Sequence, residues 1–213
     1  APRLAAAAPA PAPAPAARPA ALPGHLPAVL AIGASTGGPE ALSAIFRAFR
    51  LPARIPILVT QHMPDAFLPL LAEHLSRLGP VPVRVARDQE PLLPGVALLA
   101  PGGSHMLVAQ GPKVVLSDAP PEHFCRPAVD PMLRSVAALF GGRAASVVLT
   151  GMGHDGAAGA ALIASAGGPV LVQDQASSVV WGMPGAVVER GAAKEVLPLP
   201  ELARRIAELA GAA

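Results

Sequence analysis

Val29-Leu30-Ala31-Ile32-Gly33-Ala34-Ser35-Thr36-Gly37-Gly38-Pro39 is an apolar run that ends on a hydroxyl, two glycines and a proline. Residues 28–33 read as a buried strand, and Pro39 to Phe49 as a helix with proline in its first turn. Ser35 therefore falls on the turn between them. Two distant segments repeat the pattern: Ile55-Pro56-Ile57-Leu58-Val59-Thr60-Gln61-His62-Met63-Pro64 and Ser146-Val147-Val148-Leu149-Thr150-Gly151-Met152-Gly153-His154-Asp155-Gly156. Each delivers one reactive group, Ser35, His62 or Asp155, past the end of an apolar strand. In an open α/β sheet, residues at the carboxyl ends of strands converge on one crevice.

Outward from these segments, strands alternate with helical patterns. Strands are expected over residues 55–60, 146–150 and 170–173, with helices from Asp65 to Leu78, Ala128 to Phe140, Ala157 to Ala166, Pro184 to Arg190 and Glu201 to Ala210. Asp65 is a candidate cap for its helix, and a short strand is expected at Lys194–Val196. This rhythm predicts an α/β fold with a doubly wound, mostly parallel, Rossmann-like sheet. The middle differs. Pro82 to Ala86, Val96 to Ala100, His105 to Ala109 and Val114 to Ser117 are short strand candidates between Pro-Gly, Pro-Gly-Gly and Gly-Pro turns, which predicts an inserted antiparallel hairpin region.

Composition narrows the rest. Ala1 to Gly24 is a Pro/Ala tract, expected to be an extended linker, so residues 1–26 read as linker and 27–213 as one folded domain. Its prolines interrupt any continuous apolar stretch of the kind a signal peptide needs. A start on Ala1 followed by linker suggests a piece of a longer chain. No unbroken apolar run of about 18 residues is present, so no membrane insertion is expected. A formal net charge of +2 without a basic block, and only 3% aromatic residues, speak against nucleic-acid binding. The single cysteine, Cys125, precludes an internal disulfide and suits a reducing cytoplasm.

A hydroxyl, an imidazole and a carboxylate together suggest nucleophilic catalysis. Amides at the helix start after Ser35 form a ready site for an oxyanion. His62 has the intrinsic basicity to take a hydroxyl proton near neutral pH, and Asp155 could hold its tautomer. Each residue also has a plainer reading. Ser35 could be a turn residue and His62 a solvated strand-end side chain, while Asp155 could be the cap of its own helix. Gln61 could bond the His62 ring or face the other way. Asp130 and Asp174 compete as the acid, and Cys125 as the nucleophile; His154 reads as surface and His105 as structural. The order Ser…His…Asp differs from the Ser…Asp…His order of the α/β-hydrolases. No histidine pair has metal-ligand spacing on a helix face, so neither a metal nor another cofactor is expected.

Gly-Ala-Ser-Thr-Gly-Gly, Gln-His-Met-Pro and Thr-Gly-Met-Gly-His-Asp-Gly together resemble the catalytic domain of the chemotaxis protein-glutamate methylesterases, the CheB family. Leu-Pro-Gly-Val-Ala-Leu-Leu-Ala-Pro-Gly-Gly-Ser-His, Arg-Pro-Ala-Val-Asp and Gln-Asp-Gln-Ala-Ser-Ser-Val-Val-Trp-Gly-Met-Pro extend the likeness from about Pro27 to the last helix. The resemblance implies a cytoplasmic serine esterase that demethylates glutamate esters on chemoreceptor helices and deamidates some receptor glutamines. It implies Ser35 as nucleophile, His62 as base, Asp155 as its orienter, and backbone amides of Thr36 and Met152 at the oxyanion. It also implies an N-terminal receiver domain, of which only the linker-like tract is read in these residues. The loop from Asp118 to Pro127, with Glu122, His123 and Cys125, departs from the family pattern. Two other readings compete: a phosphate- or nucleotide-binding module built on Gly33 to Gly38, which lacks a P-loop ending, and a catalytically silent scaffold.

Overall fold

The computed structural model of the chain describes residues 26–213. The Pro/Ala tract read as a linker lies outside them, apart from its last residue. The structure is a three-layer α/β sandwich. Its seven-stranded sheet runs β3-β4-β2-β1-β7-β8-β9, and every pairing in it is parallel. The strands are β1 (Val29–Ala34), β2 (Ile57–Gln61), β3 (Val83–Val85), β4 (Ala97–Leu99), β7 (Ala144–Val148), β8 (Val170–Gln173) and β9 (Glu195–Leu197). A separate antiparallel pair joins β5 (His105–Ala109) to β6 (Lys113–Ser117).

The central strand β1 is buried along its whole length, as a parallel strand covered on both faces must be. Its side chains alternate between two cores. Leu30, Ile32 and Ala34 join the core under α1 (Gly38–Ala48), α2 (Leu68–Ser76) and α6 (Leu199–Leu209). Val29 and Ala31 join the core under α3 (Val129–Phe140), α4 (Ala157–Ser165) and α5 (Gly182–Glu189), which the β5–β6 hairpin also covers. In α1, Ala41, Leu42, Ile45 and Phe46 form the inward stripe and pack against α6. Each such large side chain contributes about 1.5–3 kcal/mol through removal from water. The chain passes from β1 to β2, on to β3 at the edge, back to β4 between β3 and β2, and then returns to place β7 on the other side of β1. The strand order thus reverses between β1 and β7, and a doubly wound sheet opens its ligand crevice at such a point.

The expected hairpin region is smaller than the turn signals suggested. β5 and β6 form a hairpin, but β3 and β4 pair in parallel at one end of the main sheet. The link between them is too long for a tight turn and crosses over instead. On the way it hydrogen-bonds the hairpin, from Leu92 N–H to the Pro112 carbonyl and from Val114 N–H to the Glu90 carbonyl. The stretch read as one helix from Asp65 is a 3₁₀ turn (Asp65–Phe67) followed by α2. Asp65 caps neither; its Oδ1 accepts the Gly102 amide at 2.9 Å. Among the described residues, no helix is long and apolar enough to cross a membrane.

Gly33 lets α3 press against β1 at the floor of the crevice. A Cβ there would lie 2.4 Å from Cγ1 of Val129. Gly33→Ala is expected to destabilise the fold by about 1–3 kcal/mol. Combined with Val129→Ala, it should cost less than the sum of the two single changes, because the smaller side chain vacates the clash. Urea unfolding of the four proteins checks this, and strict additivity would refute the contact.

Candidate active site

Ser35, His62 and Asp155 follow β1, β2 and β7, which are neighbours in the sheet. Backbone bonds fasten the three loops together. Ser35 N–H reaches the Thr150 carbonyl at 3.1 Å, and His62 N–H reaches that of Ala34 at 3.0 Å. The Gln61 side-chain amide then bridges two loops, donating to the Ser35 carbonyl at 2.9 Å and the His62 carbonyl at 3.0 Å. It neither bonds the imidazole nor faces away. Gly37 turns the chain into α1 with φ 81°, a left-handed conformation that glycine adopts without strain. Gly151 is small for a different reason: a Cβ there would sit 2.3 Å from Sδ of Met183 and 2.8 Å from Cβ of Ser35.

All three side chains border one cavity of about 790 Å³, together with Thr36, Met152, His123, Phe124 and Cys125. His62 Nε2 donates to Asp155 Oδ2 at 2.8 Å, which leaves Nδ1 as the unbonded ring nitrogen. Among the described residues, Ser35 Oγ has no hydrogen-bond partner, and neither do the backbone N–H groups of Thr36 and Met152. The loops thus hold a hydroxyl, an imidazole anchored on its far nitrogen, and two unbonded amides on one cavity wall. Such a set can deprotonate an alcohol, attack a carbonyl and receive the resulting oxyanion.

Asp155 is almost wholly buried and does not cap its own helix, which begins after Gly156. It caps α3 instead. Its Oδ2 accepts the Val129 amide at 2.6 Å and its Oδ1 the Asp130 amide at 2.8 Å. Asp130, weighed from the sequence as a rival acid, does the converse: its Oδ1 accepts the Gly159 amide of α4 at 2.7 Å. Sequence reasoning missed this exchange, although an aspartate beside the start of each of the two helices was the available signal. Burial pushes the Asp155 carboxyl upward, but the His62 bond and the two α3 amides outweigh it and hold the group below the usual carboxylate range.

The other candidates occupy different places. Asp174 binds Ser177 through both the amide and the hydroxyl, far from His62 in the hydrogen-bond network. His105 is buried, with its ring between the Pro120 carbonyl and the Ala128 amide, as a structural residue should be. His154 is exposed and stands edge-on to His123 with ring centres 4.5 Å apart. Cys125 borders the cavity, but burial and then the Asp155 charge push its thiol up, which disfavours the thiolate. His123, Asp130 and Asp155 lie within 4.8 Å of one another, yet their facing oxygens already accept amides and imidazoles.

A family model described as CheB methylesterase matches residues 30–206. The chain belongs to the CheB methylesterase family. A protein-glutamate methylesterase/protein-glutamine glutaminase of Maricaulis maris is 51% identical over 177 residues, covering 82% of this chain and 44% of that protein. The enzyme of the same name from Azospirillum brasilense is 50% identical over 189 residues, covering 87% and 48%. The chain therefore spans about half the length of the curated relatives it matches. The crystal structure of the Thermotoga maritima CheB methylesterase catalytic domain superposes with a TM-score of 0.82 at 38% identity, covering 86% of this chain and 98% of that one. The doubly wound sheet is thus the CheB catalytic-domain architecture.

Because the folded Asp155 carboxyl titrates below its ordinary value of 3.8, its stabilising effect is present above that pH and fades as pH falls toward the lower folded value. Asp155→Asn is expected to cost on the order of 1–3 kcal/mol at pH 7, with a smaller gap from the parent at pH 3. Urea unfolding at both pH values checks it; equal gaps would mean that the charge contributes nothing.

Proposed function

We propose that residues 27–213 form the catalytic domain of a cytoplasmic protein-glutamate methylesterase. It hydrolyses glutamate 5-O-methyl esters on the cytoplasmic helices of chemoreceptors and deamidates particular receptor glutamines. Residues 1–26 are the linker that precedes it, and a receiver domain of the kind implied by the family resemblance is a further proposed partner. The observation that carries this reading is the His62–Asp155 pair in the same cavity as Ser35. The names of the relatives supply the substrate class.

In the proposed reaction, Nδ1 of His62 takes the proton of Ser35 Oγ as the oxygen attacks the ester carbonyl. The amides of Thr36 and Met152 receive the oxyanion. Asp155 stabilises the imidazolium through Nε2. His62 returns the proton to the departing methoxide, so methanol leaves and an acyl-enzyme remains. Water, deprotonated by His62, then attacks the acyl carbon, and Ser35 departs reprotonated with glutamate as product. A glutamine side chain follows the same course with ammonia as leaving group. No step requires a cofactor. Phe124 and Met152, both exposed at the cavity mouth, offer an apolar rim for the receptor helix around the target side chain.

Ser35→Ala should lower methanol release from methyl-labelled receptor by about 10³–10⁶-fold while preserving the unfolding transition. Retained release would end the assignment. A parent protein that releases no methanol, and whose Ser35 resists a serine-directed phosphonate, would indicate the silent scaffold. Phe124→Ala should raise KM for receptor by several-fold, on the order of 1 kcal/mol of lost apolar contact, with kcat little changed. Steady-state kinetics on methylated receptor checks it, and an unchanged KM would remove Phe124 from the docking rim.

A further inference from the structure

Asp130 and Asp155 are both almost completely buried and have oxygens within 4.8 Å of each other. Two carboxylates this close in a dry site resist ionising together, and the proton affinity of one rises sharply unless a cation lies between them. His123 occupies that position. Its Nε2 is 2.9 Å from Asp130 Oδ2 and 3.8 Å from Asp155 Oδ1. The backbone adopts a costly conformation to put it there. His123 (φ 52°) and Phe124 (φ 62°) are consecutive left-handed residues without glycine or asparagine, in a tight turn closed by two bonds between Glu122 and Cys125. Bulky side chains are rare in this region, and strain of this sort gathers at functional sites. The turn is anchored from α3, where Arg134 pairs with Glu122.

We propose that His123 is a positioning residue for the reactive pair: as an imidazolium between Asp130 and Asp155, it balances the second buried carboxylate so that Asp155 keeps its charge for His62. The inference rests on the esterase reading only for its kinetic readout. The groups facing His123 are Asp130 from α3, and His154 and Asp155 from the loop before α4; His62, from the loop after β2, lines the same cavity, and Arg134 of α3 pairs with the neighbouring Glu122. Its own loop adds Glu122 and Cys125, and His105 of β5 bonds the Pro120 carbonyl of the same loop. Arg134 is engaged by Glu122, and both ring nitrogens of His105 are occupied. His123 is therefore the basic side chain that lies against both carboxylates.

Removing that charge makes the surroundings of His62 and Asp155 more negative, so both groups hold protons more tightly. His123→Gln keeps a hydrogen-bonding side chain but no charge. It should raise the midpoint of His62 titration by about one pH unit, with the acidic limb of kcat for receptor-ester hydrolysis moving upward equally. Asp130→Asn, which still accepts the Gly159 amide, should lower the midpoint, and the double variant should return close to the parent. The ring-proton NMR signals of the full chain give the titrations, with His62 assigned by loss of its signal in His62→Gln. Coincident His62 curves for parent and His123→Gln would overturn the proposal, as would a double variant still shifted as far as His123→Gln. If His123→Gln does not fold, an Asp130→Asn midpoint at or above the parent value overturns it. Absence of ester hydrolysis by the parent would count against the esterase reading alone, because the NMR titration needs no turnover.

Discussion

Two helices exchange caps. Asp155, from the loop before α4, accepts the first amides of α3, and Asp130, in the first turn of α3, accepts an amide of α4. Amides at a helix start have no partner within the helix and carry the positive end of its dipole, so a buried carboxylate there is stabilised rather than penalised. The exchange locks α3 to α4 beneath the crevice and fixes the Asp155 carboxylate in place. It also helps to hold that group ionised against the upward push of burial. The orientation of His62 follows, because its Nε2 has that carboxylate as its partner. The reactive geometry is thus founded on helix capping before it involves any chemistry.

Around this joint, small residues decide how close the loops can come. Gly33 admits Val129, the residue whose amide meets Asp155, and Gly151 admits both Met183 and the Cβ of Ser35. Gln61 then ties the serine loop to the histidine loop through their carbonyls. The site is therefore set by backbone approach and buried hydrogen bonds, with mobile surface side chains left to the rim. Phe124 and Met152 supply that rim, and the strained turn at His123 joins rim to floor.

Much of the fold was legible because it depends on local pattern. Apolar runs bounded by glycine mark β1, β2 and β7, and residues with i, i+4 apolar spacing mark α1 and α6. The hairpin region was overestimated because Pro-Gly punctuation marks a turn without stating whether the chain doubles back or crosses over; the link between β3 and β4 crosses. Asp65 and Asp155 both look like caps of the helices that follow them, and each instead bonds an amide from a distant segment. Which amide a carboxylate meets depends on packing, and sequence adjacency is a poor guide to it.

The sequence by itself determined the β-α alternation, the membership in the CheB family and the three strand-end residues, because periodicity and short motifs are local properties of the chain. Only the tertiary structure decided that β2, β1 and β7 are neighbours, that Asp130 and Asp155 exchange helices, and that His123 stands between them. Those facts arise from segments separated by up to about a hundred residues meeting in a closely packed interior, where shape and unpaired amides select the partner.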